Sequence, residues 1–121
     1  MSDTVIFSCS HWKDDPERMI LPLVAANTAA IAGQRAVVFC TMDAVWIGTR
    51  GGIEGTGLEG FPDPETLLPE YIANEGEIWL CQTCAKPRNI GEDMLIKGAR
   101  IVGAAKLVEE VVLGANHVAI A

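Results

Sequence analysis

The segment IWLCQTCAKPR, residues 78–88, holds the chain's most reactive grouping. Cys81 and Cys84 stand three apart, after an apolar run and ahead of Lys86 and Arg88. The pattern admits four chemistries: half of a zinc site, a dithiol redox pair, a sulfur carrier, or two small core residues. A structural zinc site takes about four ligands. Cys81 and Cys84 supply two, and there is no second CxxC, so the rest would have to come from Cys9, Cys40 or His11. A redox dithiol wants its CxxC at the start of a helix, whose positive end lowers the thiol pKa. Pro87 biases Lys86 away from helical angles, which leaves room for only a turn. A sulfur carrier asks less: one accessible cysteine, a positive neighbourhood that favours thiolate, and space for a partner. Lys86 and Arg88 could supply that charge, although a solvated loop face is the plainer reading of both. Cys9 and Cys40 read best as small hydrophobes. Spacing alone does not choose between the redox and carrier readings.

The surrounding elements must position these thiols. TVIFSC (4–9), RAVVFCT (35–41) and EIWLC (77–81) are short, largely unalternating apolar runs. They predict strands of a parallel sheet covered on both faces. ARIVG (99–103) and HVAIA (117–121) predict the fourth and fifth. Between the first two runs, Asp14 or Asp15 caps a helix with Pro16 in its first turn. Pro22 then predicts a kink or a late start. Asp63 caps a second helix over 64–76, with Leu67, Leu68, Tyr71 and Ile72 facing inward. GEDMLIKG (91–98) reads as a helical turn. A last helix spans 104–113, with Leu107, Val108, Val111 and Val112 inward and Lys106, Glu109 and Glu110 outward. Gly114 ends it. His117 reads as a structural histidine in the final strand.

The segment 46–64 has six glycines and two prolines, and it predicts no regular element. Its GTGLEG (55–60) matches a dinucleotide pattern by letters, but FPDP follows where a helix should open. A mobile loop over an edge of the sheet is the expectation, and loops of this length are often lids. Strands alternating with helices imply right-handed βαβ units. Cys9, Cys40 and Cys81 then all end on the carboxyl edge of the sheet, where α/β proteins place ligands. Asp43 follows the second strand and either caps a turn or lines the same pocket.

The size of the chain, 121 residues, predicts a single domain over 1–121. It is half hydrophobic with positive mean hydropathy, rich for a small soluble protein, which predicts an oligomer. A net charge of −7 argues against nucleic acid and against anionic membranes. The longest apolar run, MILPLVAA, is far below the ~18 residues that span a bilayer. The amino terminus lacks a basic signal-like region. The expectation is a cytoplasmic protein, whose four cysteines suggest chemistry or metal before disulfides.

The order and spacing of GQRAVVFCTMDAV, EIWLCQTCAKPRNI and IKGARIVGAAKLVEEVVLGANHVAIA resemble the DsrE/DsrF-like family, which includes the DsrEFH and TusBCD sulfur-relay components. The resemblance covers nearly the whole chain. It implies a three-layer α/β/α sandwich on a mainly parallel five-stranded sheet, assembled as trimers or hexamers. In relay members a cysteine after the third strand carries persulfide; by position that residue is Cys81. Lys86 and Arg88 would stabilise its thiolate, thiol-bearing donor and acceptor proteins would be the partners, and no organic cofactor is needed. Relay members often have one cysteine there, and this chain adds Cys84, which could resolve the persulfide. The competing reading is a non-catalytic oligomeric binding module, or a redox or metal-binding protein using Cys81 and Cys84.

Overall fold

Fully apolar strands need cover on both faces, and that requirement organises the molecule. A computed structural model describes residues 3–120. The three apolar runs form β1 (Thr4–Cys9), β2 (Arg35–Cys40) and β3 (Glu77–Cys81). β4 (Ala99–Val102) and β5 (Asn116–Ala119) complete a five-stranded sheet in the order β4-β3-β2-β1-β5. Every neighbouring pair is parallel. β5 begins one residue earlier than expected and stops at Ala119, and the expected last residue, Ala121, lies outside the described residues.

One face is covered by α1 (Pro16–Ile31) and α2 (Pro64–Ala73). Met19, Ile20, Leu23, Leu68 and Tyr71 pack there against Phe7, Val38, Ile78 and Leu80. Asp15 caps α1, its carboxylate accepting from the Arg18 N–H at 3.2 Å, and Asp63 does the same for Glu65 at 3.0 Å. α1 begins at Pro16 and continues through Pro22, so the expected late start does not occur. Pro22 is buried beside Leu23, and that burial offsets its missing N–H.

A single turn, α3 (Gln82–Ala85), follows β3, and α4 (Ala104–Val112) covers the second face. Here the sequence reading holds for Leu107, which packs against the core of that face, and fails for the three valines. Val108 and Val112 are 59% and 78% exposed, Val111 also faces out, and Glu110 is buried. The cause is the polar network beneath the helix. Arg35 binds Glu77 at 2.7 Å and Glu110 at 3.0 Å, Lys106 reaches Glu110 at 3.2 Å, and the three cations Arg35, Arg100 and Lys106 ring the buried Trp79. Hydrogen bonds from Arg35 and then Lys106 hold the Glu110 carboxyl below its usual range. Turning the valines inward would strand those charges.

The stretch after β2 is also more regular than expected. Met42–Gly48 forms a 3-10 helix, so the irregular segment starts only at Thr49. It is tied down by an antiparallel bridge from Thr49 to Leu95 and by the Arg50 N–H donating to the Met94 carbonyl at 2.9 Å.

Candidate functional site at the carboxyl edge

Because the sheet is parallel, β1, β2 and β3 end on one edge, with Cys9, Cys40 and Cys81 as their last residues. The pleat then separates them. Cys9 lies in register with Cys40, and both enter the core under α1 and α2. Cys81 points to the opposite face and packs beside the cluster of Trp79 and Val102. The three strand-end cysteines therefore share an edge but do not meet at one point.

Cys9 and Cys40 are 1% and 0% exposed. Burial pushes the Cys9 thiol up to about 11, with a smaller opposing effect from the His11 backbone. Burial also raises the Cys40 thiol well above its ordinary value, with the neighbouring Cys9 adding to it. Both are held as neutral thiols at pH 7.

Cys81 and Cys84 are half-buried. Cys81 is the N-cap of α3, and Cys84, three residues on, leans against the α1/α2 core. Lys86 adopts helical angles, φ −58° and ψ −51°, despite the proline that follows it. The reason is the way the turn closes. α3 runs into a 3-10 turn, Lys86–Arg88, and Asn89 takes the left-handed conformation at φ 56°. The N–H of buried Ile90 then donates to the Ala85 carbonyl at 3.1 Å, a Schellman-type stop. Arg88 locks the arrangement. One of its N–H groups donates to the Cys84 carbonyl at 2.9 Å, and its guanidinium meets Asp43 at 3.0 Å. Asp43 thereby joins the 3-10 helix after β2 to the cysteine turn. Lys86 is exposed and lines a surface cavity of about 480 Å³ with Gln82, Ile90, Glu92 and Ile101.

This is also where the chain changes sides. The connection after β3 goes to the α1/α2 face, whereas the one after β4 enters α4 on the other. Such a divergence between adjacent parallel strands opens a crevice at their carboxyl ends. Cys81 is in register with Val102, one residue before Gly103. Gly103 is the N-cap of α4 and provides no side-chain cap. The first N–H groups of α4 are therefore uncapped by a side chain next to Cys81, and they carry partial positive charge. A methyl group at Gly103 would lie 3.5 Å from the Gln82 Oε1, so Gln82 hangs over the same helix start.

Gly103 and Gln82 are the site residues that sequence reasoning missed. The readable signal was a glycine between a strand and a helix, where Ser, Thr, Asp or Asn is the usual cap. Neither histidine joins the site. His11 Nδ1 pairs with Asp14 at 2.8 Å, and His117 bonds the Ser8 hydroxyl across β1 and β5. Among the described residues no three His, Cys, Asp or Glu side chains converge as a metal-ligand set. No helix among them is long and apolar enough to cross a membrane.

The family model of the DsrE/DsrF-like family matches residues 3–117. An uncharacterized protein of Methanopyrus kandleri is 28% identical over 92 residues, which span 76% of this chain and 73% of that protein. The ychN protein from E. coli superposes with a TM-score of 0.77 at 20% identity, covering 99% of this chain and 100% of the other. A protein of unknown function from Methanobacterium thermoautotrophicum gives 0.72 at 16% identity, covering 96% and 97%. At these identities the two solved structures establish the shared fold.

Proposed function

Because the chain belongs to the DsrE/DsrF-like family, we propose that it is a sulfur-relay protein that carries persulfide on Cys81 and passes it to a partner thiol. One observation supports this reading above the others. Cys81 is the strand-end cysteine that keeps partial solvent access, in register with Val102 just ahead of the α4 start, whereas Cys9 and Cys40 are sealed in the core. The Cys81 thiolate attacks the outer sulfur of a donor persulfide, R–S–SH. The donor S–S bond breaks, R–S⁻ leaves, and Cys81–S–SH remains. An acceptor thiolate then attacks the outer sulfur, and Cys81–S⁻ is regenerated. One S–S bond is exchanged for another at each step, so no organic cofactor is needed.

The start of α4 and the exposed Lys86 supply the positive field for thiolate and persulfide. Arg88 works indirectly: its charge is committed to Asp43, and it holds the turn that carries Cys84. A second reading rests on Cys84. Its thiolate could attack the inner sulfur of Cys81–S–SH, release HS⁻ and leave a Cys81–Cys84 disulfide. Cys84 stands three residues after the N-cap, Cys81, on the side of the turn that leans against the α1/α2 core.

Intact-mass measurement after incubation with a sulfane-sulfur donor tests both. The expected result is a gain of ~32 Da, one sulfur atom, that survives Cys84→Ser and disappears in Cys81→Ser. Disulfide formation and sulfide release that require Cys84 would favour the second reading. Absence of any adduct on Cys81 would sink the carrier proposal.

A further inference from the structure

A second cavity, of about 420 Å³, opens at the same edge of the sheet but away from the cysteine turn. Trp12, from the loop after β1, and Trp46, from the 3-10 helix after β2, form one wall. Their rings stack with centroids 5.9 Å apart and planes inclined by 29°. The Met94 side chain lines it as well. Two cations, Lys13 and Arg50, line it together with Thr49, Gly51 and Gly52, and no carboxylate is among the described residues that line it. In a chain of net charge −7 that local balance is unusual. Asp14, next to Lys13, is engaged by His11 at 2.8 Å and by the Trp12 N–H at 2.7 Å, and the Glu54 carboxylate stands 3.7 Å from where a Cβ on Gly51 would lie.

The walls are fixed before any ligand arrives. The Trp12 Nε1–H donates to the Gly52 carbonyl at 2.7 Å, bolting the indole to the loop. A Cβ at Gly52 would lie 1.7 Å from the Trp46 carbonyl oxygen, so only glycine allows this close approach. Lys13 Nζ stands 4.6 Å from the Trp12 ring centroid. Arg50 spends one N–H on the Leu95 carbonyl at 3.4 Å and has further donors to offer.

We propose that this cavity binds a small planar aromatic anion, its ring against the Trp12–Trp46 wall and its carboxylate or phosphate on Lys13 and Arg50. Its volume falls within the usual range for small-molecule sites. Indole and thioether walls favour a flat ring over a saturated one. Placement beyond the carboxyl ends of parallel strands matches where this architecture takes ligands. The site is independent of Cys81 chemistry, so persulfide transfer and this binding can fail separately.

The test is a titration of the intact protein followed by its indole N–H resonances. The chain has three tryptophans, and the fully buried Trp79 serves as the internal reference. Four probes separate ring from charge and carboxylate from phosphate: naphthalene-2-carboxylate, AMP, 2-naphthylmethanol and ribose 5-phosphate. One or both aromatic anions should shift the Trp12 and Trp46 signals saturably and leave Trp79 in place. The neutral aromatic and the non-aromatic anion should bind at least about tenfold more weakly, a difference of ~1.4 kcal/mol. Lys13→Gln with Arg50→Gln should weaken the aromatic anion by a similar factor, and Trp46→Leu should abolish saturation while the circular dichroism spectrum holds. Failure of both aromatic anions at millimolar concentration overturns the proposal. So does a neutral aromatic that binds as well as its carboxylate, or affinity that survives the double cation variant.

Discussion

The two cysteine pairs make a controlled comparison within one molecule. Cys9 and Cys40 end neighbouring strands in register, point to the same face, and are closed over by α1 and α2. Cys81 ends the next strand on the same edge, faces the other way, and leads directly into the turn that carries Cys84. All of them satisfy the rule that ligands gather at the carboxyl edge. What differs is the pleat and what the chain does next. A strand-end residue becomes a site only where its face is left open and where the connection supplies polar groups. The divergence of chain direction between β3 and β4 leaves Cys81 partly exposed beside the start of α4, as the proposed role requires, and nothing comparable happens between β1 and β2.

The sharpest way to break this comparison is alkylation of the native protein at pH 7. Iodoacetamide consumes thiolate. Burial has moved Cys9 from the ordinary 9.0 to about 11, which cuts its thiolate fraction about a hundredfold. Exclusion of reagent multiplies that, because a core thiol reacts only through opening events that cost several kcal/mol. Peptide mapping over time should therefore show Cys81 and Cys84 modified at least ~10³ times faster than Cys9 and Cys40. Similar rates at all four sites would mean that the α1/α2 layer does not seal its cysteines, and the contrast would collapse.

Much of that contrast was legible in the sequence, though not all of it. TVIFSC, RAVVFCT and EIWLC announced β1, β2 and β3 because a strand buried on both faces has no reason to alternate; β1 and β3 lie where they were read, and β2 stops one residue short, at Cys40. The inertness of Cys9 and Cys40 followed from their place in those runs. The orientation of α4 was not legible. Leu107 packs inward as read, but the three valines that shared its stripe do not, and Glu110 turns inward instead, recruited by Arg35 from a distant strand. A helical wheel cannot weigh an ion pair formed 75 residues away in sequence. Lys86 is a case of the same kind. The preference of a pre-proline residue is local, and it lost to a stop assembled from Ala85, Asn89 and Ile90. Gln82 and Gly103 stayed hidden because their role depends on the register of β3 against β4, which pattern alone does not supply.

Alkaline titration sharpens the comparison thermodynamically. Cys9 has a folded-state pKa above its unfolded value, so the unfolded chain releases this proton first as pH rises. The folded state is then favoured below pH 9 and progressively less so towards pH 11. The full shift of Cys9 corresponds to a loss of about 2–3 kcal/mol across that window. Cys40 acts in the same direction, as does Tyr71, whose buried hydroxyl has a single hydrogen placed between the Ala36 and Glu77 carbonyls. Urea midpoints at pH 8 and pH 10.5 should differ accordingly. Cys9→Ala should flatten part of the slope. A wild-type stability that is level across this range would show that the Cys9 thiol is not sealed.

The smallest effect separates holding a thiol from charging it. Asp43 is the anchor for Arg88, and its side chain is 54% exposed. Ion pairs this open contribute well under ~1 kcal/mol, so Asp43→Ala should shift the urea midpoint only slightly. Its consequence should be local. With the anchor gone, Arg88 loses its fixed direction and no longer pins the Cys84 carbonyl. The turn then opens more often, and Cys84 alkylation should rise a few-fold while Cys9 and Cys40 stay slow. Raising the salt to about 1 M screens the same pair and should reproduce part of the change in the wild type without adding to the variant. If Arg88 instead acted by its charge on the thiol, freeing it from Asp43 would make that charge more available, and added salt would slow alkylation in the variant. The sign of the salt effect in Asp43→Ala therefore decides between a clamp and a charge.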